Sequence, residues 1–196
     1  MSLKEITYRM PSLQMDVVVI ERSEEEIDKK GGNQYELGSE DETVDTKFLR
    51  DKVYAYSDGE DMYVNSKSFI GQTGYSRVMS DGRYLAFRGR SGSDEASASV
   101  GMMFGLIGAM ITQAATHNRG GTKWYIFDKD DLLYGIKDLN PGVLRKLVKS
   151  ASEKLFAQYK EEEKPLTSEV ELYYLDTVNQ LWTLGGYEPL PLTTEE

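Results

Sequence analysis

The chain has 196 residues, no cysteine, a single histidine and a formal net charge of −10. Without cysteine there are no disulfide staples, zinc–thiolate sites, iron–sulfur clusters or cysteine nucleophiles, and one histidine argues against a histidine-rich metal site. The acidic balance argues against a broad phosphate-binding surface, so nucleic acid is not an expected partner. The length suits one domain with a real hydrophobic core.

Met1–Met10 lacks the long apolar run of a secretory signal. Met15–Ile20 (MDVVVI) is a short β-branched run, predicted to be a buried strand. Residues 21–47 then hold ten acids against four bases, so this stretch carries six of the ten net negative charges. With Gly31-Gly32 and few large apolar residues, it reads as a solvated loop region or mobile arm. Its carboxylates lack the alternating order and turn glycine of a calcium loop. Residues 1–50 are therefore expected to be a strand plus an acidic, mobile region, 51–184 an α+β core, and 185–196 a loose tail.

Two Asp-Gly hairpins follow, Lys52–Val64 turning at Asp58-Gly59 and Tyr75–Arg88 turning at Asp81-Gly82. A two-residue type I′ loop would pair Ala55 with Met62 and Val53 with Val64 in the first, and Val78 with Leu85 and Ser76 with Phe87 in the second. Each hairpin then has one aliphatic face and one rich in tyrosine and arginine, the pattern of a half-buried antiparallel sheet. A third strand pair is expected at Lys123–Phe127 and Leu132–Ile136.

Between them lies Ala96–Ala115, whose continuous apolar part, Val100–Ile111, is 12 residues long. A membrane span needs about 20. Gly101, Gly105, Gly108 and Thr112 fall on one face of a helix, and each interior glycine costs about 1 kcal/mol relative to alanine. Close backbone approach along that stripe is the expected compensation, against the sheet, a second copy or a protein partner. Membrane association and a glycine hinge are the lesser alternatives. His117 follows in a turn-like stretch with no nucleophile or carboxylate beside it in sequence, and reads as a surface histidine.

Asn140-Pro141 opens a helix as N-cap and first-turn proline. Leu144, Leu147, Val148, Ala151, Leu155, Phe156 and Tyr159 keep helical spacing to a stop at Lys164-Pro165. Ser168-Glu169-Val170-Glu171 reads as a capping box for a second helix, ended by Gly185-Gly186. The expected fold class is α+β: an antiparallel sheet built from hairpins, with the glycine-spaced apolar helix and two C-terminal helices packed on it.

No phosphate-binding loop, nucleophile elbow or zinc-helix motif occurs. The chain reads as non-enzymatic, with no cofactor, metal or catalytic residue. Two surfaces could carry a function. The first is the Gly101, Gly105, Gly108 and Thr112 face, for a homo-oligomer or protein partner. The second is a set of strand residues, Tyr54, Tyr56, Tyr63, Tyr75, Tyr84, Arg77 and Arg88, which could hold a sugar, peptide or anion. Burial of these tyrosines beneath a helix, hydroxyl toward water, is the competing reading.

The order MYVN (Met62–Asn65), RYLAFRG (Arg83–Gly89), GMMFGLIGAMI (Gly101–Ile111), WYIFD (Trp124–Asp128) and LNPGVLRKLV…LFAQYKEE…YYLDTVN (Leu139–Asn179) resembles a group of uncharacterised exported proteins of anaerobic gut-type bacteria, usually made with a signal peptide. The resemblance covers roughly residues 50–180. It implies an exported, periplasmic or cell-envelope location and brings no known activity, ligand or site.

Overall fold

A computed structural model describes residues 6, 16–40, 44–90, 122–131 and 136–183. Among these residues the chain is α+β, with an antiparallel sheet of eight strands and six helices. The strands are β1 (Val18–Glu21), β2 (Tyr35–Gly38), β3 (Ala55–Ser57), β4 (Met62–Asn65), β5 (Tyr75–Asp81), β6 (Tyr84–Arg90), β7 (Thr122–Asp128) and β8 (Ile136–Asp138). The helices are α1 (Glu24–Lys30), α2 (Thr46–Lys52), α3 (Ser66–Ile70), α4 (Pro141–Ala151), α5 (Glu153–Glu161) and α6 (Ser168–Thr183). None of these helices is long and apolar enough to cross a membrane. The glycine-spaced segment Ala96–Ala115, His117 and the expected tail 185–196 lie outside the described residues.

The sheet runs β1-β2-β5-β6-β7-β8, with β4 also on β5 and β3 on β4. Strand β5 is the junction. It pairs with β4 from Tyr75 to Arg77, touches β2 only through Tyr35↔Tyr75, and meets β6 from Val78 to Asp81. Between Arg77 and Arg88 the β5–β6 ladder has already stopped, its last paired positions being Val78↔Phe87. The sheet forks there.

Both Asp-Gly turns are wider than a two-residue loop. In the first hairpin Ala55 pairs with Val64 and Ser57 with Met62. The cause is Asp58, whose Oδ1 accepts from the amides of Glu60 and Asp61 at 2.9 and 2.8 Å and so folds a four-residue loop. These bonds hold the Asp58 carboxyl below the usual range, the Asp61 amide first among them. Because the slip is two positions, the residues keep their faces. In the second, Val78 pairs with Phe87, and a bulge then shifts the register to Ser80↔Ala86 and Asp81↔Leu85. Gly82 is needed for space: a Cβ there would lie 2.4 Å from Cγ of Asn179.

The central strands are buried on both faces, where one wet face was expected. Tyr84, Ala86, Trp124 and Ile126 lie under the C-terminal helices with Leu144, Leu147, Val148, Tyr174 and Leu175. Leu85, Phe87, Tyr125 and Phe127 face a second core with Ala55, Val64, Phe69 and Ile70. A third, smaller core gathers Val17, Leu37, Leu49, Tyr63 and Tyr75. Full burial of each large apolar side chain contributes about 1.5–3 kcal/mol, so a strand apolar on both sides belongs between two layers.

Three C-terminal helices replace the expected two. Asn140 caps α4 as expected, accepting from the Val143 amide at 3.0 Å. The chain then breaks at Ser152, which is extended (φ −164°, ψ 130°) and caps α5 through the Leu155 amide. The last helix is capped one residue earlier than Ser168, since Thr167 Oγ1 accepts from the Val170 amide at 3.3 Å.

The described residues of the acidic stretch, 21–40 and 44–47, contribute regular structure. They supply the end of β1, all of α1 and β2, and the start of α2. Ser23 and Glu26 form a reciprocal capping box on α1, with Glu24, Glu25 and Glu26 at its positive end. Arg22, 7% exposed, donates to the carbonyls of Asn33, Gly31 and Glu26 and pairs with Glu36 at 3.3 Å. One guanidinium thus satisfies the loop between α1 and β2.

Candidate functional site

The fork in the sheet holds a groove of about 880 Å³. Its walls come from Glu21–Glu24 and Gly32–Tyr35 around β1, α1 and β2, from Ser76–Arg77 on β5, from Arg88–Arg90 on β6 and from Thr122 on β7. The local sequence explains why it stays open. Gly74 (φ +86°) turns the chain into β5 against the backbone of Tyr35 and Asn33, and Gly89 lets Ile70 approach to within 2.5 Å of where a Cβ would stand. Asn33 is 4% exposed and bridges the gap, its Oδ1 accepting from the Arg90 amide at 2.8 Å. The Nδ2 of Asn33 has no hydrogen-bond partner among the described residues. A buried amide donor left over in a groove wall is costly unless something accepts from it.

The arginines differ in what they have left to give. Arg22 is committed to loop carbonyls. Arg77 pairs with Asp61 at 2.7 Å and Arg90 with Asp28 at 2.9 Å, both toward the outside. Exposed Arg88 makes no hydrogen bond or ion pair among the described residues; its guanidinium carbon lies 5.5 Å from the Trp124 ring centroid, within cation–π range. Tyr35 stands nearby, edge-on to Tyr63 with centroids 5.1 Å apart, and its phenol is raised above its ordinary value, by burial first and the Glu21 charge second.

A second cavity of about 340 Å³ shares Arg88 and Thr122 with the groove, and is also lined by Trp124, Asp138 and Glu171. Trp124 is 7% exposed and its Nε1 donor is unspent. Oδ1 of Asp138 is an unspent acceptor, Oδ2 being held by Lys123 at 3.1 Å. Burial pushes the Glu171 carboxyl up, and the Arg88 charge pulls it back, although the two make no ion pair.

Of the seven strand residues expected to form one ligand surface, the structure brings only Arg77 and Arg88 into this groove. Tyr63 and Tyr75 lie in the small N-terminal core, and Tyr84 lies under the helices. The Tyr75 hydroxyl sits 2.6 Å from the Leu49 carbonyl and 2.9 Å from that of Val53. Tyr56 donates to the Val17 carbonyl at 2.8 Å, and Tyr54 packs half-buried on the second core. These tyrosines are the mortar between layers, since a ring can be buried while its hydroxyl finds a carbonyl. Gly101, Gly105, Gly108 and Thr112 lie outside the described residues. Among those described, no group of three His, Asp or Glu side chains is placed to hold a metal ion.

Asn33, Arg90 and Trp124 escaped the sequence reading. Gly31-Gly32 marks a loop region, yet nothing in it announces that the neighbouring Asn33 amide reaches across to β6. Arg90 and Trp124 become site residues only through the β6–β7 register, which pairs Arg88 with Trp124 and Arg90 with Thr122.

The sequence model of one family, described as a family of unknown function (DUF6563), matches residues 1–181. No curated protein and no solved structure matches the chain.

Proposed function

We propose that this chain, which belongs to that family of unknown function, is a non-enzymatic binding protein whose forked-sheet groove takes an extended acidic segment of a partner protein. The observation that carries the reading is Arg88, an exposed guanidinium with no carboxylate partner among the described residues, which lines both cavities. A guanidinium receives a carboxylate through two parallel hydrogen bonds, and the indole beneath it holds the cation in place. Two cavities on either side of one arginine suit a chain better than a compact ligand. Binding is favoured over serine chemistry because both serines of the groove are engaged: Ser76 Oγ with Ser66 at 2.8 Å, and Ser23 in its capping box.

The groove deepens the Tyr/Arg ligand-surface reading of the sequence and narrows it to the arginines. Self-association through the Gly101, Gly105, Gly108 and Thr112 face, and an envelope location, rest on the sequence and its resemblance; they accompany the proposal without support from the groove.

The test is fluorescence anisotropy with a labelled oligoglutamate peptide and an oligolysine control. The expected outcome is saturable binding of oligoglutamate alone, weakened by salt, and weakened about tenfold or more by Arg88→Gln, as for loss of a charge-assisted pair. Equal binding of both peptides, or no effect of Arg88→Gln, would sink the reading.

A further inference from the structure

We infer that the smaller cavity captures the free N-terminus of the acidic segment, so that the partner enters the groove end-first. This rests on the groove reading above and adds polarity and an end-group to it. Arg88 and Glu171 face the same space from β6 and α6. They are close enough for the arginine to bias the carboxyl, yet they leave a gap instead of closing into an ion pair. A gap between an unpaired cation and an unpaired anion fits a ligand that presents both charges a few bonds apart.

The first residue of an acidic peptide does so. Its ammonium is a three-fold donor for the Glu171 carboxylate, and its side-chain carboxylate is a fork acceptor for Arg88. The two unpaired charges thus each meet a complementary one, and Trp124 and Leu139 supply apolar lining for the intervening carbons. The next residues run on past Arg88 and Thr122, which line both cavities, into the larger groove. An internal peptide segment has no ammonium, and would leave Glu171 unanswered.

The experiment compares two C-terminally amidated oligoglutamates, one with a free and one with an acetylated N-terminus, by calorimetric titration of the full chain. The titration is run at about pH 6.5, where a free α-amino group is protonated. The free peptide is expected to bind about tenfold or more tightly, the range of a charge-assisted hydrogen bond. Glu171→Gln, checked for native circular dichroism, is expected to erase the difference, with the acetylated peptide bound no more weakly than by the wild type. Equal affinities for the two peptides would overturn end-capture and leave the groove reading standing. A difference that survives Glu171→Gln would overturn the assignment to this cavity. Binding of neither peptide would remove both readings together.

Discussion

Asn179 ties the last helix to a hairpin 95 positions earlier. Its Oδ1 accepts from the Tyr84 amide at 2.9 Å, while Nδ2 donates to the Tyr84 carbonyl at 2.8 Å and to Ser80 Oγ at 2.9 Å. All of these groups are buried. An amide side chain that mimics a strand partner in this way satisfies both backbone groups of Tyr84 beside the turn. Asn179→Ala strands them without water, at about 1–3 kcal/mol for each unmet buried group, so a loss of about 3 kcal/mol is expected. A urea melt would read this as a lower midpoint at unchanged slope; a midpoint shift no larger than an ordinary surface change would refute the bridge. Gly82 belongs to the same device, since any Cβ there meets the Asn179 side chain. In sequence, Asn179 was an unremarked polar residue beside the apolar positions Val178 and Leu181, because nothing local reveals a partner so distant. Arg88 was visible as a cation on a strand, whereas its lack of a partner was not.

The elements themselves were legible wherever local rules decide them. Asn140-Pro141 predicted the start of α4 because an N-cap and a first-turn proline act within one turn. Asn140→Ala is expected to cost about 1 kcal/mol, seen as a drop in Tm of several degrees, and an unchanged Tm would show that the cap is silent. Strand faces were legible in the first hairpin, since alternation survives a two-residue slip, whereas the β5 bulge between Val78 and Ser80 interrupts it in the second. Register was not. Asp58 accepts from two amides of its own turn, and that local choice widens the loop against the Asp-Gly preference for two residues. The helix break at Ser152 was hidden because Ala151 and Leu155 stay in phase across it, so the apolar pattern reads straight through a residue whose backbone is extended.

At the scale of the molecule, a run of like charge reads as a solvated excursion, whereas its described part is organised around one buried cation. Arg22 gathers the loop carbonyls between α1 and β2, and the carboxylates around it stay exposed on helix and strand surfaces where water solvates them. Composition reports the sum of charges and is blind to this division of labour. The division does set the pH response. Asp51 is held down from its ordinary 3.8 to about 2, by the Lys67 hydrogen bond first and the Arg50 bond second. As pH falls from about 4 to about 2, the unfolded chain protonates this carboxyl first, so its contribution to stability, full above that window, is lost through it. Glu171 has the opposite sign. Burial raises its folded pKa, so its contribution is fully present below its ordinary value of 4.5 and is lost as pH rises through the raised value. Asp51→Asn should therefore flatten the acid limb of a stability–pH curve below about pH 4. Glu171→Gln should leave that limb alone and remove a decline at higher pH. The measurement is a series of urea midpoints across pH for the wild type and the two variants, and parallel curves for all three would contradict both assignments. Peptide capture adds a sharper form of the same test: an ammonium beside Glu171 favours its ionised state, so saturating free-ended oligoglutamate should abolish the Glu171 decline while acetylated peptide leaves it in place.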